Sequence, residues 1–271
     1  MRFAGALGRT SVMWIFAAQV AGGPLLHYEN AKQDFAQRKF AEAVDEVDAA
    51  LHGNPHMVPA LVLKARLATL ARRPDVAKSC LITAITVDPG SEEAQFYLGL
   101  LFYTQNAFES AISPLQAAHT LSPNSPLPVF YLALTQEALG HESKAIPLYQ
   151  QAENLSPGTS PEHAEISVAY GRLLLSLGRT DDGIQEERRA VEIDPGSRDA
   201  HYELAEGLSH KGDFRNAAVE GELALTLNGT TNVSDAQIHY VLAGLYRELN
   251  KPDLARAHME KFLAARKATQ K

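Results

Sequence analysis

The sequence predicts an all-α protein built from about seven stacked helical hairpins. Three features of its 271 residues carry this prediction. Prolines recur at a spacing of 34 residues, small residues recur in rows on the same register, and glycine or asparagine recurs between the rows. Self-similarity at a period of roughly 20–50 residues is typical of repeat proteins, in which each repeat is one supersecondary unit.

The prolines mark where helical segments end. Proline cannot continue an α-helix, because it has no backbone N–H and its ring clashes with the preceding turn. The first four are 34 residues apart and the last interval is 38 residues. Four-residue insertions at residues 160–163 and 232–235 are expected to lengthen loops between hairpins. The recurring prolines are Pro55, Pro89, Pro123, Pro157 and Pro195.

Small residues define the contacts between helices. Two antiparallel helices approach closely only where the side chains at their crossing are small. Such rows therefore predict two closely packed helices in each repeat. The first row is Ala31, Ala65, Gly99, Ala133, Gly171, Ala205 and Ala243. The second row is Ala43, Ala77, Ala111, Ala145, Gly183, Ala217 and Ala255, and the third is Ala50, Ala84, Ala118, Ala152, Ala190 and Ala224.

A tight turn is predicted between the two helices of each hairpin. Glycine and asparagine tolerate the left-handed backbone conformation that ends a helix. In the second repeat, Arg72 with Arg73 and Pro74 replaces this signal. The residues at the turn position of five other repeats are Asn106, Gly140, Gly178, Gly212 and Asn250.

This pattern resembles the tetratricopeptide repeat family. The best single repeat has large, small, large, small, large and small residues and then proline where the family has them: Leu98, Gly99, Phe102, Ala111, Leu115, Ala118 and Pro123. The resemblance covers residues 24–267 and implies a right-handed α-solenoid of about seven tetratricopeptide-type hairpins. The predicted repeats are residues 24–57, 58–91, 92–125, 126–159, 164–197, 198–231 and 236–267, followed by a tail at 268–271.

Composition and motifs argue for a binding protein. The formal net charge of −7 argues against nucleic acid as the partner, because phosphate binding needs a concentrated basic face. The single cysteine, Cys80, can form neither an intramolecular disulfide nor a cysteine-rich zinc site. No phosphate-binding loop, dinucleotide fingerprint or metalloprotease motif is present. We therefore predict a non-enzymatic chain without a cofactor or a catalytic residue.

Two sets of ionisable residues, one of histidines and one of acidic pairs, are interpreted as structural. His201 and His239 share one register position, where they are predicted to fill space between helices and not to form a metal-ligand pair. The acidic pairs Asp181-Asp182 and Glu186-Glu187 are interpreted as a charged helix start and a solvated helix face.

The N-terminal segment, residues 1–23, has the pattern of a secretory signal. Basic residues precede a short apolar stretch, and small residues at 20–22 could be a cleavage site. The apolar run is too short for a stable membrane span, which needs about 20 residues. Two alternatives stay open, an uncleaved anchor and a lone helix packed on the first hairpin. Localisation follows from this choice: exported or periplasmic if residues 1–22 are a signal peptide, and cytoplasmic otherwise.

The resemblance also implies a groove lined by the first helix of each hairpin. The fifth position of each repeat is aromatic in five repeats, and aromatic side chains dominate interface energetics. These residues are Tyr28, Phe96, Phe130, Tyr202 and Tyr240. One turn further on, four repeats have charged residues: Lys32, Arg66, Arg172 and Glu206. The alternative is that the aromatic rings serve ordinary packing between neighbouring helices.

The predicted function is that of a protein–protein interaction scaffold. A peptide or helix of an unidentified partner protein would bind in the concave groove. The alternative function is an accessory subunit of an enzyme or of an export or assembly complex, docked through its convex face or a terminal repeat.

Overall fold

The structure is a computed structural model that describes residues 10–156, 158, 160–227 and 233–268. Within these residues the chain forms fourteen α-helices and no strand. The helices are α1 (Thr10–Ala36), α2 (Phe40–Gly53), α3 (Val58–Leu70), α4 (Pro74–Val87), α5 (Glu92–Thr104), α6 (Phe108–Leu121), α7 (Pro126–Ala138), α8 (Glu142–Leu155), α9 (Pro161–Ser176), α10 (Thr180–Ile193), α11 (Arg198–Lys211), α12 (Phe214–Thr226), α13 (Asp235–Glu248) and α14 (Pro252–Ala268).

Each odd-numbered helix packs against the even-numbered helix that follows it, which confirms the predicted all-α class of helical hairpins. The fourteen helices belong to two compact units. The first compact unit, Met1–Asn124, contains α1 to α6, and the second, Ser125–Lys271, contains α7 to α14. Each has its own buried apolar clusters.

The rows of small residues lie at the helix crossings, as predicted. All but Ala255 are buried. Gly99 shows how close the approach is, because a Cβ added to it would lie 2.5 Å from Cγ of Leu115. No side chain larger than hydrogen fits there without displacing α6.

The turn inside each hairpin has one residue in the left-handed region, as predicted. Gly140, Gly178 and Gly212 have φ between 70° and 84°, and Asn106 and Asn250 have φ of 58° and 56°. Arg38 and Arg72 adopt the same conformation, with φ of 60° and 54°, although their sequence predicts no such turn. An L-residue with a Cβ pays about 1–2 kcal/mol for this conformation.

The insertion at residues 160–163 differs from the prediction of a longer loop. Ser160 is the N-cap of α9 and its side chain accepts a hydrogen bond from the backbone N–H of His163, while Pro161 occupies the first helical position. Serine at the cap and proline next to it start a helix, so the insertion extends α9 at its N-terminus.

The helix α1 continues through Pro24 without a break. A proline inside a helix removes one backbone hydrogen bond. Gly53 at the end of α2 lies close to the Pro24 ring, since a Cβ added to Gly53 would be 2.6 Å from Cγ of Pro24.

Residues 1–9 lie outside the described residues. That residues 1–23 are a secretory signal stays a prediction, and so do the limits of the seven repeats. Among the described residues, no helix combines the length and the apolarity that crossing a membrane requires.

Candidate partner-binding surface

The first helices of successive hairpins lie side by side within each compact unit. In the second unit α7 contacts α9, α9 contacts α11, and α11 contacts α13. In the first unit α3 contacts α5. Side chains at one register position of these helices therefore form a row on a common face, which is where the predicted binding residues lie.

Two of the predicted aromatic residues belong to the apolar cores. Phe96 and Phe130 are only 9% and 6% exposed, and the Phe130 ring lies 6.1 Å from the ring of buried Tyr149. Their rings serve the packing between helices, which is the alternative considered for this row. A partner has little access to either ring.

The other three aromatic residues are accessible to different degrees. Tyr28 and Tyr202 are partly exposed. Tyr240 is 58% exposed, and one side of its ring packs against Phe262, with 5.2 Å between the ring centroids. Tyr240 is thus the predicted aromatic residue that is best placed to contact a second molecule.

In the first compact unit the predicted cations lie over aromatic rings of the chain itself. The Lys32 ammonium is 5.4 Å from the centre of the Tyr28 ring. The Arg66 guanidinium is 4.6 Å from the Phe35 ring and 5.0 Å from the Tyr97 ring. The residues Phe35 and Tyr97 were not among the predicted site residues, because their positions are not those of the aromatic row.

Carboxylates complete this cluster. Arg66 forms a 3.9 Å ion pair with Glu93, and Lys32 forms a 3.0 Å pair with Glu29. Each predicted cation of the first compact unit thus has both an aromatic and an acidic neighbour within the chain.

The second compact unit contains a cleft of about 510 Å³ between its last two hairpins. Two of the predicted residues, Tyr240 and Glu206, line it. Phe214 and Met259 add apolar surface, and Arg247 adds a charged group. Phe214 and Met259 come from the second helices α12 and α14, and Arg247 lies at the end of α13, whereas the predicted residues occupy earlier positions on first helices.

The face of α11 next to this cleft is acidic. Burial raises the pKa of Glu203 to about 7, Arg172 opposes the shift, and Glu206 and Asp199 add to it. Burial also raises the pKa of Tyr202, to which Glu206 contributes both through its charge and as a hydrogen-bond acceptor. Arg172 on α9 and Glu206 on α11 thus both act on Glu203, and Glu206 also acts on Tyr202.

One carboxyl group is buried in the core behind this face, so the solvated position predicted for Glu187 is wrong. Glu187 is fully buried, and neither carboxyl oxygen has a hydrogen-bond partner within the described residues. Burial raises its pKa to about 9, with further contributions from Glu203 and Glu206. A carboxyl in this environment is protonated at neutral pH.

The repeat register explains how Glu187 fits. The equivalent positions of the earlier repeats are buried apolar residues, namely Val47, Leu81, Leu115 and Tyr149. The carboxyl end of Glu187 reaches Gly207, because a Cβ added there would lie 2.3 Å from Oε2. The residues equivalent to Gly207 include the buried leucines Leu67, Leu101, Leu173 and Leu245. Because α11 has glycine at position 207, where these other helices have leucine, there is space for the Glu187 side chain of α10.

The histidines at the shared register position pack between helices, as predicted. His201 is paired with Glu220 at 2.6 Å and with the carbonyl oxygen of Pro195 at 3.1 Å. The Nδ1 atoms of His239 and His258 are 3.1 Å apart. In the part of the chain that the structure describes, no group of three His, Cys, Asp or Glu residues is arranged to hold a metal ion.

Family models for the tetratricopeptide repeat match residues 64–126 and 130–198, and a second such model matches residues 236–269. Together they cover more than half of the chain. A search of curated protein sequences finds no match.

Solved structures with the same fold are similar to this chain. A chain of the APC/C hetero-tetramer Cut9-Hcn1 has a TM-score of 0.71 and 17% identity over 87% of this chain, which spans about half (46%) of that chain. TTC0263, a tetratricopeptide repeat protein of Thermus thermophilus, has a TM-score of 0.56 and 24% identity over 68% of this chain and 98% of its own.

A third structure, YrrB, is described as a tetratricopeptide repeat protein with an unusual peptide-binding site. It has a TM-score of 0.51 and 18% identity over 66% of this chain and 91% of its own. At these sequence identities the structural similarity shows the fold alone, whereas the family models show the family. The chain belongs to the tetratricopeptide repeat family.

Proposed function

We propose that the chain binds a peptide or helix of a partner protein on the first helices of the second compact unit, with Tyr240 at the centre of the contact. The tetratricopeptide repeat fold supports a protein–protein interaction scaffold, and the proposed function is non-enzymatic. The observation that carries the location is the cleft of about 510 Å³ beside an exposed aromatic ring.

The chemistry of the cleft suits a peptide. Tyr240 and Phe214 offer apolar ring surface, while Glu206, Arg247 and Glu248 offer hydrogen-bonding groups at its edge. Binding sites are typically apolar with a few polar groups that set orientation. Tyrosine is enriched among the residues that carry most of the energy of an interface, because it gives much contact area for few rotatable bonds.

A capture experiment with Tyr240→Ala tests the proposal. Wild type and variant are immobilised, and bound proteins from the source cells are quantified by mass spectrometry. A central tyrosine is worth about 2 kcal/mol or more, so we expect the partner's affinity to fall by about 30-fold. Val219→Ala is the matched control, because Val219 is a 53% exposed apolar residue on the second helix α12.

A partner that binds Tyr240→Ala as well as wild type would rule out the cleft as its site. Circular dichroism of both variants ensures that any loss reflects binding. Tyr240 is preferred to Phe96 and Phe130 for this test, because truncating a buried ring would leave a cavity and destabilise the fold.

The alternative function, docking through the second helices, has one observation in its favour. Val219 and Leu223 lie one turn apart on α12 and are 53% and 42% exposed. An accessory subunit docked through this face would lose its complex in Val219→Ala/Leu223→Ala and keep it in Tyr240→Ala. Comparing Val219→Ala/Leu223→Ala with Tyr240→Ala therefore separates the two functions, because each function predicts loss of the complex in only one of these two proteins.

A further inference from the structure

One register position carries a histidine that is paired across its hairpin. In the hairpins α1–α2 and α11–α12 the partner is a glutamate, with 2.6 Å between Nδ1 and Oε2. These pairs are His27 with Glu46 and His201 with Glu220. In the last hairpin the histidine is His239, and His258 occupies the position of the glutamates. The last hairpin thus has a second imidazole where two other hairpins have a carboxylate.

The histidine pair, His239 and His258, can form its contact with one shared proton but not with two. Nδ1 of His239 lies 3.1 Å from Nδ1 of His258, and Nε2 of His258 lies 3.2 Å from Oε1 of Glu222 on α12. A neutral His258 that donates its Nε2–H to Glu222 has an electron pair on Nδ1, which accepts the Nδ1–H of His239. When both rings are protonated, both Nδ1 atoms carry hydrogen. The hydrogen bond is then replaced by repulsion between two cations.

The surroundings of the histidine pair disfavour its protonation. Burial lowers the pKa of His258, and Lys261 on the same helix lowers it further, whereas Glu222 acts in the opposite direction. Burial also lowers the pKa of His239, and the charges of His258 and Lys261 lower it further. Asp235 and Glu222 oppose this shift without reversing it.

Both of these carboxylates have other partners. Asp235 is ion-paired with Arg198 on α11. Glu222 accepts a hydrogen bond of 2.9 Å from the hydroxyl of Tyr246 on α13, whose ring centroid lies 5.4 Å from that of His258. The carboxylates therefore compensate the positive charge of a protonated histidine pair only in part.

The histidine pair lies at the contact that holds the last helix. Of the residues of α14, all of which the structure describes, His258 alone is buried. Phe262, one turn further on, packs against Tyr240 with 5.2 Å between the ring centroids, and Met259 lines the cleft. Because His239 and Tyr240 are consecutive on α13, the histidine contact and the aromatic contact belong to one interface between two helices.

We propose that the histidine pair is a pH-sensitive contact, which holds α14 on α13 at neutral pH and releases α14 on acidification. For its consequence this inference rests on the proposed function, since release removes Met259 and Phe262 from the cleft at Tyr240 and so weakens partner binding. Histidine is the side chain whose charge changes between about pH 5 and 8. The two histidine–glutamate pairs respond in the opposite sense, because a protonated imidazole attracts a carboxylate.

The size of the effect follows from counting protons. With α14 released, each histidine of the pair has its ordinary pKa of 6.5 and takes up a proton below that pH. With α14 docked, the pair holds at most one proton. The ratio of released to docked α14 should therefore rise by about tenfold for each pH unit below about 6.5 and for each additional proton. The stabilising contribution is fully present above this pH and is lost below it.

Hydrogen exchange of the full chain, followed by mass spectrometry, measures the docking of α14. Labelling times are scaled to the intrinsic exchange rate at each pH. From pH 6 to pH 5 we expect the protection of α14 in wild type to fall by about tenfold, while α2 keeps its protection. His258→Gln should remove this response, because the amide donates to Glu222 and accepts from His239 in either charge state. The control His27→Gln changes the same register position of the first hairpin and should leave the response of α14 unchanged.

His239→Gln provides a second variant if His258→Gln does not fold. Its amide group can donate to or accept from His258, so it should also remove the pH response of α14. Equal protection of α14 in wild type at pH 6 and pH 5 would overturn the inference. A pH response that survives in the glutamine variants at 239 and 258, or that His27→Gln removes, would overturn it as well.

Peptide binding separates this inference from the proposed function. Displayed random peptides are selected on wild type at pH 7.5, and those that do not bind Tyr240→Ala are synthesised. On acidification their affinity for wild type should fall by the factor by which the docked fraction of α14 falls, and should be retained in His258→Gln. An affinity that is unchanged although α14 is released would overturn the link to the cleft and leave the proposed function intact. If no peptide distinguishes wild type from Tyr240→Ala, the proposed function fails, and hydrogen exchange alone decides whether the histidine pair releases α14.

Discussion

Replacing the buried carboxyl of Glu187 by an apolar side chain should stabilise the protein at neutral pH. Methionine has an unbranched, flexible side chain about as long as that of glutamate and, unlike the carboxyl, has no strong need for a hydrogen-bond partner. The equivalent positions in other repeats are Val47, Leu81 and Leu115, all buried. We therefore expect Glu187→Met to fold and to be more stable than wild type.

The magnitude follows from the pKa of Glu187, which is about 9 in the folded chain against an ordinary value of 4.5. At pH 7 the folded carboxyl is protonated and the unfolded one is ionised. Folding must then take up a proton, and one pKa unit corresponds to about 1.4 kcal/mol. The cost at pH 7 is on the order of 3 kcal/mol, which Glu187→Met removes.

The pH dependence provides the sharper test. The folded state binds this proton more tightly than the unfolded chain, so its contribution is largest below pH 4.5 and is lost as the pH rises toward 9. Between these limits the stability of wild type should fall by about 1.4 kcal/mol per pH unit more steeply than that of the variant. Urea unfolding followed by circular dichroism at pH 5.5, 6.5, 7.5 and 8.5 measures this difference.

Two control variants accompany the measurement. Glu187→Gln keeps the shape of the side chain and cannot titrate, so its pH profile should match that of Glu187→Met. Glu260→Met makes the same replacement at an exposed position of α14 and should keep the wild-type profile. A Glu187→Met variant that is less stable than wild type at pH 7, or that has the wild-type pH profile, would refute the account of the buried carboxyl.

Three further predictions concern single positions. Gly207→Ala should destabilise wild type by about 1–3 kcal/mol, because its Cβ would meet Oε2 of Glu187, and should be tolerated in Glu187→Ala; a double-mutant cycle by urea unfolding checks the coupling. Arg72→Gly should raise the stability by about 1 kcal/mol in thermal unfolding, because it relieves the left-handed conformation of Arg72, whereas Arg72→Ala should not. Ser234→Ala should cost about 1 kcal/mol, because it removes the capping box with Gln237, and hydrogen exchange should show faster opening at the start of α13.

Much of the fold could be predicted from the sequence, because the repeat applies the same rule many times. A glycine or asparagine at one register position has a direct physical meaning, and the left-handed turns at Asn106 and Gly140 confirm it. Arg38 and Arg72 adopt the same conformation without the residue type that favours it. Their turns are imposed by the packing of the two helices they join, and local sequence carries no signal for that.

The binding surface was less predictable, because register places a residue on a helix but does not fix its burial. Phe96, Phe130 and Tyr240 share one position, yet only Tyr240 is largely exposed. The difference depends on which side chains the adjacent helices supply. Tyr149, for example, packs against Phe130 from the following helix.

Glu187 was misinterpreted for the same reason. Its charged neighbours on α10 suggested a solvated face, whereas its register position is that of a core residue. The informative signal was the pair of exceptions in adjacent helices, a glutamate in a row of apolar residues and Gly207 in a row that is leucine in four repeats. Together they indicate that the Glu187 side chain occupies the space that a leucine at position 207 would fill.

The central claim is that a partner segment contacts the first helices of the second compact unit at Tyr240. Site-specific photo-crosslinking in the source cells tests it directly, with the photoreactive residue p-benzoylphenylalanine placed at position 240 or, for comparison, at exposed position 219 on α12. The account predicts a discrete crosslinked protein from position 240 that is absent from position 219, with the crosslink mapping to a short segment of the partner. Crosslinking from position 219 alone would contradict it and identify the second helices as the docking face.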